Sequence, residues 1–186
     1  MTEAPPRLQM RELANTAGLL TIARLPLALV FPFVADRRGP ALVIYGLAIL
    51  TDVADGIVAR RTGTTSYSGA VIDSYMDKAL HSVVALTLVA YGRMPASWLI
   101  LWFMREWMQL AMVVVFVKSY LRGEWRPRGA NRLGKLTTVS LAVALIATLL
   151  EIQPLALGFS WLTGALGLAT GLSYLRQILE DRQGRR

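Results

Sequence analysis

A chain of 186 residues, 54% hydrophobic and 17% charged, with a mean hydropathy of +0.46, is one domain whose solvent is a bilayer rather than water. The absence of cysteine excludes a disulfide framework, a zinc–thiolate site and a thiol nucleophile, so any metal is held by oxygen or by the single histidine, His81. The net charge of +8 does not describe a nucleic-acid face: cations collect at the ends of apolar segments, and with six crossings only Arg37, Arg38 and Arg93 fall opposite the rest, which predicts cytoplasmic termini.

Residues 1–16 begin polar and then alternate Leu8, Met10, Leu13 and Ala14 with Arg7, Arg11 and Glu12, which predicts an amphipathic helix lying on anionic headgroups. Residues 17–34 form the first predicted span, interrupted by Thr21, Arg24 and Pro26. Phe33 is too large for the −3 position of a cut after Ala35, so the segment is expected to be retained. A turn over 35–40 leads to a second span over 41–60. The third covers 67–91 and the fourth 96–120, with Arg105 and Glu106 inside it. Residues 121–132 are a polar loop rich in Arg, Gly and Pro, and the last two spans cover 133–152 and 159–179, separated by Gln153-Pro154. The prediction is a single all-α membrane domain over 1–186: an interfacial helix, a six-span bundle over 17–180 and a tail over 181–186. There is no internal repeat.

Asp52, Asp55, Gly56 and Ala59 stand at i, i+3, i+4 and i+7, so two acids and two small residues share one helical stripe. Gly69, Asp73 and Asp77 step by four along the next helix, which predicts two acid-bearing faces looking at each other across a hairpin. Ionisable groups inside a span are costly and mark function. Four carboxylates repel one another unless cations fill the gap, and an all-oxygen donor set calls for a hard ion, Mg²⁺ or Mn²⁺. Two such ions suit phosphoryl chemistry. Gly56 and Ala59 leave a groove, and Arg60 at its mouth can meet a phosphate. Close helix packing accounts for the small residues equally well but leaves the acids unexplained.

The order Asp52-x-x-Asp55-Gly56-x-x-Ala59-Arg60, eight residues, Gly69, three residues, Asp73, three residues, Asp77 resembles the complete signature of the CDP-alcohol phosphatidyltransferases. The resemblance implies a six-span homodimer in a bacterial-type cell membrane, with its active site and both termini cytoplasmic. It implies that Asp52, Asp55 and Asp73, with Asp77, hold two Mg²⁺ ions, for which Mn²⁺ can substitute. Gly56, Ala59, Arg60, Gly69 and Thr21 would bind the CDP moiety. Asp77 would act as general base on the acceptor hydroxyl, which attacks the β-phosphorus of CDP-diacylglycerol and expels CMP. From the residues alone, one acid must be free enough of metal charge to accept a proton.

Thr21 and Arg24 match a Leu-Thr-x-x-Arg element of the family's first span, although its usual Asn is Gly18 here. Arg24 is also long enough to snorkel back to the interface. Arg105-Glu106 and Gly134-Lys135-Leu136-Thr137-Thr138 resemble elements of the members that make phosphatidylglycerophosphate, with Thr137 in place of a second Lys. Glycerol 3-phosphate is therefore the expected acceptor, with a cardiolipin synthase using phosphatidylglycerol, or an inositol-phosphate enzyme, as the alternatives. Arg105, Arg126, Arg128, Arg132 and Lys135 are the cations available to that acceptor; Arg105 and Glu106 read equally as an ion pair that fixes packing. His81 continues the Asp73, Asp77 stripe and reads as a hydrogen-bonded packing residue before a ligand. An ion transporter would show paired repeats or interrupted helices, and the sequence shows neither.

Overall fold

In a computed structural model of the chain, residues 16–62, 67–115, 117 and 132–183 are described, and within them the side chains of 16–23, 59, 60, 62, 67–71, 132 and 181–183 are not. Every element among the described residues is helical: α1 (Thr16–Val34), α2 (Arg38–Thr62), α3 (Tyr67–Ala90), α4 (Trp98–Trp102), α5 (Met104–Val115), α6 (Arg132–Leu149) and α7 (Gln153–Gln183). The chain divides into two compact units, Met1–Arg93 and Met94–Arg186.

Three boundaries differ from the sequence expectation, each for a backbone reason. Pro40 and Pro154, expected in turns, lie in the first turns of α2 and α7, where a missing N–H costs nothing and the fixed φ already suits a helix. The expected fourth span is two helices that meet at Phe103, whose φ of −105° and ψ of 20° leave the helical region. Hydrogen bonds from Phe103 N to Leu99 O (3.0 Å) and from Trp107 N to Phe103 O (2.9 Å) carry the ladder through the bend.

In the first unit α1 is the shared partner of α2 and α3. Ala28 of α1, Ala35 in the turn after it, and Ala41 and Ala48 of α2 are buried and let the backbones approach closely. Phe31 meets Tyr45 edge to face at 6.4 Å, and Leu80, Val84 and Leu88 of α3 complete the core. The turn after α3 is fastened to the last turn of α1 by Tyr91 Oη donating to Pro32 O (3.0 Å) and to the α1–α2 turn by Arg93 Nη2 donating to Asp36 O (2.9 Å).

In the second unit α7 packs on α4, α5 and α6. Trp102 is buried and its Nε1 donates to Ser160 Oγ at 2.8 Å. A Cβ at Gly167 would lie 3.0 Å from the backbone N of Arg105, and one at Gly171 only 2.6 Å from Met108 Cβ, so these positions set the α5–α7 spacing.

Arg38–Val58 and Gln153–Glu180, of 21 and 28 residues, are long and apolar enough to cross a bilayer, while Arg24–Val34 and Leu133–Leu149 are apolar but shorter. Phe33 is 84% exposed and Leu29, Leu50 and Trp161 more than 60%, a surface suited to acyl chains.

α3 and α6 end in the same closure. Gly92 N and Arg93 N donate to Val89 O and Leu88 O, and Glu151 N and Ile152 N donate to Thr148 O and Ala147 O, in both cases with a left-handed residue at the centre. At Gly92, with φ 65°, this costs little. Glu151 holds φ 59° with a full side chain, so Glu151→Gly is expected to stabilise the protein by about 1 kcal/mol, read as a higher midpoint of thermal unfolding in detergent. An unchanged or lower midpoint would show that the Glu151 side chain offsets the strain.

Candidate functional site

Helical spacing places Asp52 and Asp55 one turn apart on α2 and Asp73 and Asp77 one turn apart on α3. One carboxylate oxygen each from Asp52, Asp55 and Asp73 lies within 4.8 Å of the other two. Asp55 is buried, and Asp52 and Asp73 are half-exposed and open to a ligand. Gly56, on the Asp52 stripe, is half-buried beside them.

A third helix enters this cluster. Arg24 of α1 is 1% exposed; its Nη2 donates to Asp55 Oδ2 and to Asp73 Oδ1 (2.8 Å), and its Nη1 lies 2.9 Å from Asp52 Oδ1. The expectation that Arg24 snorkels to the interface is therefore corrected, because three carboxylates inside the fold hold the guanidinium more strongly than headgroups reached by an extended side chain. The picture of two faces across a hairpin changes with it: α1 reaches both acid-bearing helices. Arg24 Nε is buried with no partner among the described residues.

One turn beyond Asp73, Asp77 is engaged by His81. His81 Nδ1 is 2.8 Å from the Asp77 carbonyl oxygen and 3.1 Å from Asp77 Oδ1. A carbonyl only accepts, so Nδ1 carries the proton and donates it to the backbone and carboxylate of Asp77 together. The buried His81 ring is packed edge to face on Tyr45 at 6.1 Å.

Other expected site residues are distributed as follows. Thr21, Ala59, Arg60 and Gly69 lie on α1, α2 and α3 with their side chains outside the described residues. In the second unit Arg105 Nε and Nη2 donate to Glu106 Oε1 at 2.9 and 2.6 Å, and Arg105 Nη1 donates to Gly134 O at 3.2 Å, which ties α5 to the first turn of α6. Lys135 is exposed. Arg126 and Arg128 lie outside the described residues, as does the side chain of Arg132. Thr137 is buried, donating to Leu133 O at 2.9 Å, with its Oγ1 3.5 Å from Thr170 Oγ1.

Of the two partnerships made by the acids, that of Arg24 with Asp52, Asp55 and Asp73 escaped the sequence reading, whereas that of His81 with Asp77 agrees with the expected hydrogen-bonded packing residue on the same stripe. Charge accounting holds the signal for the first. A lone arginine deep in an apolar segment needs a buried counter-charge, and the next two helices hold four.

The sequence pattern of the CDP-alcohol phosphatidyltransferases matches residues 13–172, most of the chain and all of this site. The chain belongs to the CDP-alcohol phosphatidyltransferase family. Members of this family are membrane-bound transferases that use a divalent metal, and three converging carboxylates with no sulfur and no nitrogen in the set fit such an ion.

Among curated relatives, the probable phosphatidylglycerophosphate synthase of Mycobacterium tuberculosis is 28% identical over 185 residues, covering 92% of this chain and 85% of that one. The CDP-diacylglycerol–glycerol-3-phosphate 3-phosphatidyltransferase of Bacillus subtilis is 29% identical over 162 residues, covering 80% and 81%. The CMP-forming cardiolipin synthase of Streptomyces coelicolor is 29% identical over 190 residues, covering 92% and 86%. This CDP-alcohol phosphatidyltransferase is thus an enzyme of phospholipid biosynthesis.

Proposed function

We propose that the enzyme transfers the phosphatidyl group of CDP-diacylglycerol to glycerol 3-phosphate, giving phosphatidylglycerophosphate and CMP. The convergence of Asp52, Asp55 and Asp73 within one family signature carries the reaction class. The relatives named for glycerol-3-phosphate chemistry support the acceptor.

In this reading Asp52, Asp55 and Asp73, with Asp77 at the margin, hold two Mg²⁺ ions, and Mn²⁺ serves in their place. Bound there, the ions neutralise the diphosphate and make its β-phosphorus easier to attack. Thr21, Gly56, Ala59, Arg60 and Gly69 hold the CDP moiety. Asp77 takes the proton of the acceptor hydroxyl as its oxygen bonds to the β-phosphorus; the bond from that phosphorus to the bridging oxygen breaks and CMP leaves with that oxygen. His81 fixes the Asp77 carboxylate by the hydrogen bond described above, which makes it a positioning residue. Arg105, Arg126, Arg128, Arg132 and Lys135 are assigned to the acceptor's phosphate on charge alone. The single domain crosses the membrane six times, is a homodimer, and keeps its active site and both termini cytoplasmic.

A second reading, a cardiolipin synthase that uses phosphatidylglycerol, is favoured by one observation: the Streptomyces coelicolor relative is as similar as the glycerol-3-phosphate enzymes. A competition assay separates the two. Purified protein given CDP-diacylglycerol and Mg²⁺ with glycerol 3-phosphate, phosphatidylglycerol and inositol phosphate together is expected to release CMP and to make phosphatidylglycerophosphate at least about tenfold faster than any other product; contacts to a phosphate monoester supply the preference over phosphatidylglycerol, and the fit of the polyol the preference over inositol phosphate. Cardiolipin as the main product would move the assignment to the second reading.

A further inference from the structure

Metal and nucleotide binding leave Arg24 without a task, although it is the most deeply buried charge described at the site. Its two terminal nitrogens face all three carboxylates: Nη2 stands between Asp55 Oδ2 and Asp73 Oδ1, and Nη1 faces Asp52 Oδ1. A divalent ion drawn to the same three carboxylates meets a cation already set among them. At separations of a few ångströms in a low-dielectric interior, like charges repel strongly, so occupancy by one weakens the hold of the other. Removing the guanidinium would leave three carboxylates facing one another, an arrangement that a buried site does not tolerate without a counter-charge.

We propose that Arg24 is a resident counter-cation that holds Asp52, Asp55 and Asp73 together in the metal-free protein and competes with the divalent ion for them. The inference rests on the triad being the metal site. Linkage makes the competition reciprocal: what Arg24 gains from the acids is subtracted from the affinity of the ion, and a bound ion loosens Arg24 by the same factor.

The test uses the full chain in detergent micelles with Mn²⁺ alone and no substrate. Wild type, Arg24→Gln and Arg24→Lys are compared by calorimetric titration and by thermal unfolding with and without Mn²⁺. Arg24→Gln is expected to bind Mn²⁺ about tenfold more tightly, within the usual range of site-to-site coupling, to unfold at a lower temperature without the ion, and to recover the wild-type midpoint when saturated. Arg24→Lys, with one nitrogen where the guanidinium has two in contact, is expected to fall between. Equal or weaker Mn²⁺ binding by a folded Arg24→Gln overturns the proposal. If that variant does not fold, Arg24→Lys decides by the same criterion. Wild-type protein that takes up no Mn²⁺ removes the metal assignment itself and the inference with it; binding that is the same in wild type and variants removes the inference alone.

Discussion

Asp77→Asn is expected to release CMP at least about 10³-fold more slowly than wild type, because a positioned general base contributes two to four orders of magnitude. Asparagine keeps the shape of the side chain and an oxygen that accepts from His81 Nδ1, so the 3.1 Å contact survives the exchange. The triad of Asp52, Asp55 and Asp73 is untouched. Because Asp77 stands only at the margin of the proposed ion site, Mn²⁺ affinity should fall far less than turnover, and the KM for CDP-diacylglycerol should stay within about threefold of wild type, the mark of a group that acts in the transition state. Turnover within tenfold of wild type would remove Asp77 from the role of base.

Asp55→Asn is expected to fail differently. Asp55 is the buried member of the triad and accepts from Arg24 Nη2, so its loss weakens both the ion site and the pairing of α1 with α2. The unfolding midpoint without metal should drop by the equivalent of about 2–3 kcal/mol, the range for a buried charge that loses an ionised partner. Activity should fall by about 10³-fold or more, together with Mn²⁺ affinity, because the ion's contribution to transition-state charge is several kcal/mol. The two variants are thus separated by titration and melting curves rather than by activity. A variant with wild-type Mn²⁺ affinity would take Asp55 out of the ligand set.

The acid stripe was legible in the sequence because its spacing is the helix period itself: Asp52 to Asp55 and Asp73 to Asp77 can share a face only if both segments are helical. The helical class was legible for the same reason. Where the reading failed, the determinant was a tertiary partner or a local backbone choice. Gly39-Pro40 and Gln153-Pro154 carry turn chemistry, yet proline suits the first turn of a helix equally well, and composition does not say on which side of the boundary it falls. Phe103 bends its helix with neither proline nor glycine to announce it. For Arg24 the snorkelling reading stood open beside the family element because, along the chain, its counter-charges are far away: 31 residues to Asp55 and 49 to Asp73. Glu151 adopts a conformation that favours glycine, and its residue type does not announce it.

The distance of Arg24 from its partners along the chain also bears on how the protein is made. α1 emerges from the ribosome well before Asp52, Asp55 and Asp73 exist, and an arginine near the middle of an isolated apolar helix costs about 2.5–3.5 kcal/mol on entering lipid. Its counter-charges follow in two steps, Asp52 and Asp55 on α2, the latter 31 positions later, and Asp73 on α3, 49 positions later. On the proposed reading of α1 as a span, that helix would be held fully in the bilayer only once α2 and α3 have supplied its counter-charges.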